Sequence, residues 1–173
     1  MPFIFYIRGD ALSYLYGLDL SLTNTGIAIV DLNTYKPILV DSVKTKKSKT
    51  LNDHDDHKER IKLITDKFDE LIYTYEPEIV TIEAPFVRHN KATKAVMKVH
   101  GIAQRWFYPY DQFYYAPTTL KATIVHGKAS KEQLQDRLLK EYPYIEFKNE
   151  DESDALACCV TYLVKKKMIK WVK

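Results

Sequence analysis

The stretch Gly17-Leu18-Asp19-Leu20-Ser21-Leu22-Thr23-Asn24-Thr25-Gly26 places an acid inside an apolar run and follows it with Ser/Thr/Asn turn chemistry and a glycine. Residues 14–20, 26–31 and 37–43 are three apolar runs with β-branched residues, divided by short turns. That spacing predicts a three-stranded antiparallel meander with Asp19 near the end of its first strand. An ionised carboxylate in such a strand needs a partner. Read alone, Asp19 is better explained as a turn-capping residue, because Asp near strand ends is common.

Downstream, Ile61, Ile64, Phe68, Leu71, Ile72 and Tyr75 recur at helical spacing up to Pro77. Glu78-Ile79-Val80-Thr81-Ile82-Glu83 then reads as a strand buried on both faces, as parallel strands after a crossover are. Glu83 ends it, in the same kind of position as Asp19. From residue 90 to 107 the apolar positions Ala92, Ala95, Val96, Val99, Ile102, Ala103 and Trp106 form a continuous helical stripe. A fifth strand is expected over 112–116 and a short helix over 117–125. A helix over 130–141 is opened by the capping-box pair Ser130 and Gln133, and a last helix is expected over 152–170. The order β-β-β-α-β-α-β-α-α-α predicts an α/β layered fold with a five-stranded mixed sheet: strands 1–3 antiparallel, strands 4 and 5 parallel, helices on both faces.

A third acidic signal is Asn149-Glu150-Asp151-Glu152-Ser153-Asp154-Ala155, four acids at the head of an apolar helix. Acids there also suit the helix dipole, so a plain capped start explains them too. Asp151 and Asp154, three apart, share a face. Should Asp19, Glu83, Asp151 and Asp154 converge, their repulsion calls for divalent cations, and an all-oxygen set points to Mg²⁺, with Mn²⁺ as the alternative, rather than zinc. Two ions so held serve phosphoryl transfer, one activating water and one stabilising the leaving 3′ oxygen. The five histidines, His54, His57, His89, His100 and His126, have no metal-ligand spacing, and no nucleophile triad or phosphate loop is present.

With 173 residues, 46% hydrophobic and 28% charged, the chain has the size and composition of one globular domain. Residues 1–13 are read as an N-terminal extension and 14–173 as a single domain with a basic tail. The net charge of +3 excludes a polycation, but it is unevenly spread. Arg88, Lys91, Lys94, Lys98, Arg105, Lys121, Lys128 and Lys131 face one acid, Asp111, across residues 84–131, leaving the remainder of the chain net acidic. On the long helix the lysines lie roughly 120° from the apolar stripe. A charged helix face is usually only solvated; placed five residues after Glu83, it is read as a surface tracking phosphates. Phe86 is a candidate for stacking on a base. The adjacent Cys158 and Cys159 form neither a disulfide framework nor a zinc site and suit a reducing, cytoplasmic compartment. No apolar run reaches the ~18 residues of a membrane span.

Taken together, GLDLSLTNTG (17–26), IEAPFVRHN (82–90) followed by a Lys-rich helix ending in HG, APTTLKATIVHGKASKEQL (116–134) and DESDALA (151–157) resemble the RuvC-type Holliday junction resolvases, RNase H-like nucleases, and look closest to phage-type members. The resemblance spans about residues 16–165. It implies an RNase H-like fold and a homodimer that cuts four-way or other branched DNA symmetrically, giving ligatable nicks. It makes Asp19, Glu83, Asp151 and Asp154 the catalytic metal-binding acids, with Asp19 bridging two ions. It puts Lys121 and Lys131 near the scissile phosphate and Phe86 at the junction crossover. Arg88, Asn90, Lys91, Lys94, Lys98 and Lys128 are then expected to contact DNA. Three other readings compete: a nuclease of the same fold acting on flaps, forks or RNA–DNA hybrids, a silent DNA-binding module, and a two-lobed actin-like ATPase, which a chain of this length with five glycines does not accommodate. A catalytically silent DNA-binding module is disfavoured by the complete set of four acids.

Overall fold

A computed structural model describes residues 12–85 and 91–172, with the side chains of Lys91 and Ala92 excepted. Five strands, β1 (Tyr14–Asp19), β2 (Asn24–Asp31), β3 (Lys36–Lys44), β4 (Pro77–Glu83) and β5 (Asp111–Tyr115), form one sheet in the order β3-β2-β1-β4-β5. β1 pairs antiparallel with β2, and β2 with β3, whereas β4 runs parallel to both β1 and β5. This is the mixed sheet that the strand pattern predicts.

Alternation in the central strands feeds two cores. On one face Tyr16, Leu18, Ile27, Ile29, Val80 and Ile82 meet Ile64, Phe68 and Leu71 of α1 (Asp53–Thr74) and Val99 and Ala103 of α2 (Lys91–Trp106). On the other, Leu15, Ala28 and Val30 meet α5 (Glu150–Lys165), itself covered by Leu120 and Ile124 of α3 (Pro117–Ile124) and Leu134 and Leu138 of α4 (Lys131–Glu141). Enclosed on both sides, α5 is buried from Glu152 through Leu163. Both cysteines lie on this stretch, unpaired. Among the described residues no helix is long and apolar enough to cross a membrane.

Two glycines set how closely α5 approaches the sheet. A Cβ at Gly17 would lie 1.9 Å from the Ala155 carbonyl oxygen, and one at Gly26 would lie 2.0 Å from that of Asp151. Only a strand without side chains at these points lets the helix backbone rest on it.

The elements depart from expectation mainly at their ends. The first helix begins at Asp53 because the Asn52 side chain accepts from the amides of His54 and Asp55, and three acids fill its first turn. The last helix begins earlier than residue 152, since Asn149 caps it through the Glu152 amide, and it stops at Lys165 rather than 170. Lys167 turns the chain with φ 59°, and Trp171 folds back to donate its indole N–H to the Ile124 carbonyl at 2.9 Å, under the Arg137 guanidinium.

Candidate active site

Parallel pairing of β1 with β4 puts Leu18 beside Ile82, so the next residues, Asp19 and Glu83, emerge together at the same end of the sheet. The close seating of α5 on Gly17 delivers Asp154 to that end. One carboxylate oxygen from each of Asp19, Glu83 and Asp154 lies within 4.8 Å of the other two. Asp151, one turn earlier on α5, is close enough to share a hydrogen bond with Asp19. The Asn24 side-chain amide also donates to its Oδ2. The structure therefore brings Asp19, Glu83 and Asp154 within reach of one another and sets Asp151 beside Asp19, outside that closest group.

Their electrostatics follow from crowding in a half-buried place. Burial, reinforced by the charges of Glu83, Asp154 and Asp151, pushes the Asp19 carboxyl up to about 9. Burial and Asp154 push Glu83 up to about 7, with Lys131 and Lys121 opposing. Asp154 is raised mainly by burial, against the pull of Lys131. The Lys131 ammonium spans Asp154 Oδ2 at 3.1 Å and Glu150 Oε2 at 3.0 Å. Partial burial works against its charge, but the bond to Glu150 and the charge of Asp154 outweigh it and hold it protonated.

The other acids of the 150–154 run are assigned elsewhere. Glu152 is fully buried and turns to β3, accepting from Ser42 Oγ and the Lys148 amide, both at 2.7 Å, and from Asn149 Nδ2 at 3.0 Å. Glu150 is largely exposed and pairs with Lys131. Asn24 and Asn149, which the sequence reading passed over, tie these groups to the site; their signal was their position inside the two acid-bearing motifs.

Of the basic residues, Lys121 on α3 lies near enough to Glu83 to influence its ionisation. Lys94 and Lys98 are exposed on α2, and Lys98 Nζ reaches His57 Nδ1 at 3.2 Å. Lys128 is exposed in the turn before α4. Phe86, Arg88 and Asn90 lie outside the described residues, as does the Lys91 side chain and residues 1–11 of the N-terminal extension.

A family model for the crossover junction endodeoxyribonuclease RuvC matches residues 15–162. The chain belongs to the RuvC family. It is 30% identical over 152 residues to the crossover junction endodeoxyribonuclease RuvC of Fusobacterium nucleatum, covering 85% of this chain and 78% of that one. The RuvC of Dechloromonas aromatica is likewise 30% identical over 152 residues, covering 86% and 83%. Among solved structures, Thermus thermophilus RuvC in complex with a Holliday junction substrate superimposes with a TM-score of 0.74 at 21% identity, over 90% of this chain and 96% of that one. The yeast mitochondrial Holliday junction resolvase Ydc2 gives 0.62 at 14% identity, over 91% and 80%. The mixed sheet with helices on both faces is thus the RNase H-like fold, shared with RuvC.

Proposed function

We propose that the chain is a metal-dependent endonuclease that resolves Holliday junctions and other branched DNA by hydrolysing phosphodiesters in two opposed strands. The observation that carries this reading is the convergence of Asp19, Glu83 and Asp154, in a RuvC-family chain, within one ion's reach. The donor set fits a hard divalent cation: every ligand is a carboxylate oxygen, and burial together with the charge of the neighbouring acids already raises the affinity of Asp19 and Glu83 for protons. Asp19, Glu83 and Asp154 would hold Mg²⁺ or Mn²⁺, two ions in all, with Asp151 completing the site. When bound, such ions lower the pKa of the attacking water and neutralise charge on the phosphate.

The chain's own groups do the remainder. Lys131, fixed by Glu150 and Asp154, holds an ammonium beside the acids where a non-bridging phosphate oxygen would arrive, and Lys121 adds positive charge on the Glu83 side. Hydrolysis forms a bond from the water oxygen to phosphorus and breaks the bond to the 3′ oxygen, which leaves as a hydroxyl after taking a proton. Lys94, Lys98 and Lys128 on the exposed surface would track the backbone. Arg88, Asn90 and Lys91 would extend that contact, with Phe86 set against the exposed bases at the crossover. A homodimer acting in the cytoplasm would supply two sites for two strands, and the free thiols of Cys158 and Cys159 suit a reducing compartment.

The test is a synthetic mobile four-way junction with Mg²⁺, comparing wild type with Asp154→Asn and Glu83→Gln. Paired symmetrical nicks by wild type, lost in both variants, are expected. Cleavage persisting in both variants refutes the site, and single cuts confined to forks refute the substrate.

A further inference from the structure

Asn24 opens β2 with its side chain turned toward the head of α5. Its Nδ2 donates to Asn149 Oδ1 at 3.0 Å and also to Asp151 Oδ2. Two oxygen acceptors facing the same nitrogen fix which way round the amide lies, because the reversed amide would set three oxygens together. The other end, Oδ1, is buried and has no hydrogen-bond partner among the described residues. An amide held this way is placed for what its nitrogen binds.

The residues behind it are held as firmly. The Asn24 backbone amide is bonded by Ser21 Oγ at 3.0 Å, and that hydroxyl donates back to the Asn24 carbonyl at 2.8 Å. Asn149 caps α5 through the Glu152 amide at 3.2 Å, while its own Nδ2 donates to Ser42 Oγ at 2.9 Å and Glu152 Oε1 at 3.0 Å. Glu152, with no exposed surface, anchors the chain of bonds to β3. A continuous polar frame therefore runs from β3 through Glu152, Asn149 and Asn24 to Asp151, which is only partly buried and sits beside other carboxylates. Left free, the Asp151 carboxylate would turn toward water under their repulsion. With Oδ2 bound by Asn24, it stays beside Asp19.

We propose that Asn24 is a positioning residue for the metal site, holding the Asp151 carboxylate beside Asp19, where it would help to hold a divalent ion. The inference rests on the metal-site reading above. Partners of ligating carboxylates characteristically change metal affinity by about 10–100-fold when removed.

The experiment uses the full chain, without DNA for the binding and stability measurements. Mn²⁺ binding is measured by calorimetry, and thermal stability is measured in chelator, for wild type, Asn24→Ala, Asn24→Ser and Asp154→Asn. The serine hydroxyl is too short to reach both acceptors, so it tests the same loss in a second, polar background. Asn24→Ala and Asn24→Ser are expected to weaken Mn²⁺ binding by about tenfold or more. The Mg²⁺ concentration for half-maximal junction cleavage should rise by a similar factor. A merely structural role would lower the melting temperature in chelator and leave the Mn²⁺ dissociation constant within about twofold of wild type; that result in either folded variant overturns the inference alone, provided Asp154→Asn weakens binding. Failure of wild type to bind Mn²⁺ overturns the metal-site reading and the inference with it.

Discussion

Glu83→Gln should make the metal-free protein more stable at pH 8 and scarcely change it at pH 5. The cause is the Glu83 carboxyl, lifted from 4.5 to about 7 by burial and by Asp154. A folded-state pKa above the unfolded value means the native chain binds more protons between the two, so stability falls as pH rises through that interval. For Glu83 alone the linkage relation gives a penalty of at most about 1 kcal/mol at pH 5 and about 3 kcal/mol at pH 8. Glutamine keeps the shape and removes the titration. The difference between variant and wild type should therefore grow by roughly 2–3 kcal/mol from pH 5 to pH 8, or roughly 5–10 °C in melting temperature for a domain of this size. Relief of Asp19, whose raised pKa owes more to Glu83 than to any other charge, adds in the same direction. The assay is thermal melting in chelator across this range, repeated with excess Mg²⁺. Saturating metal at about 100 times its dissociation constant should return ~2.7 kcal/mol to wild type and much less to the variant. A variant less stable than wild type at pH 8, or an offset independent of pH, would refute the account of a strained acid cluster.

Other perturbations probe the surroundings of the cluster. Gly17→Ala sets a Cβ against the Ala155 carbonyl and must push α5 away. A loss of ~3 kcal/mol or more, seen as a melting temperature lowered by about 6–12 °C, should accompany loss of cleavage. Lys131→Met removes the ammonium that spans Glu150 and Asp154. Single-turnover cleavage should drop by about 10²-fold. Junction affinity, measured by gel shift in Ca²⁺, should change by less than about tenfold. Lys94→Ala combined with Lys98→Ala should flatten the dependence of log affinity on log salt by about 2, while cleavage at saturating enzyme stays near wild type.

The fold was legible because its signals are local. Alternation in residues 14–43, the apolar strand ending at Glu83 and the stripe on α2 each carry their own period, and the meander-then-crossover order admits few sheets. The ends of α1 and α5 were less legible, since side-chain caps from Asn52 and Asn149 and the return of Trp171 onto α3 decide them. The acids of the site stood out by type and by position at strand ends. What pattern could not supply was the division of labour within residues 150–154, where four acids in five positions satisfy the helix dipole equally well.

That division comes from how α5 is seated. With a turn every 3.6 residues, a helix resting on Gly17 and Gly26 can present only one face to the open end of the sheet. Asp151 and Asp154 occupy that face, so Asp154 meets Asp19 and Glu83 while Asp151 lies beside Asp19. Glu152, one position on from Asp151, is rotated by ~100° into β3, where three donors satisfy it in place of an ion. Glu150 falls on the solvent side, free to tether Lys131. Strand glycines that carry no chemical group of their own thus assign chemistry to acids more than a hundred residues away. A small outward shift of α5 would leave the same four carboxylates in the chain and no shared site among them.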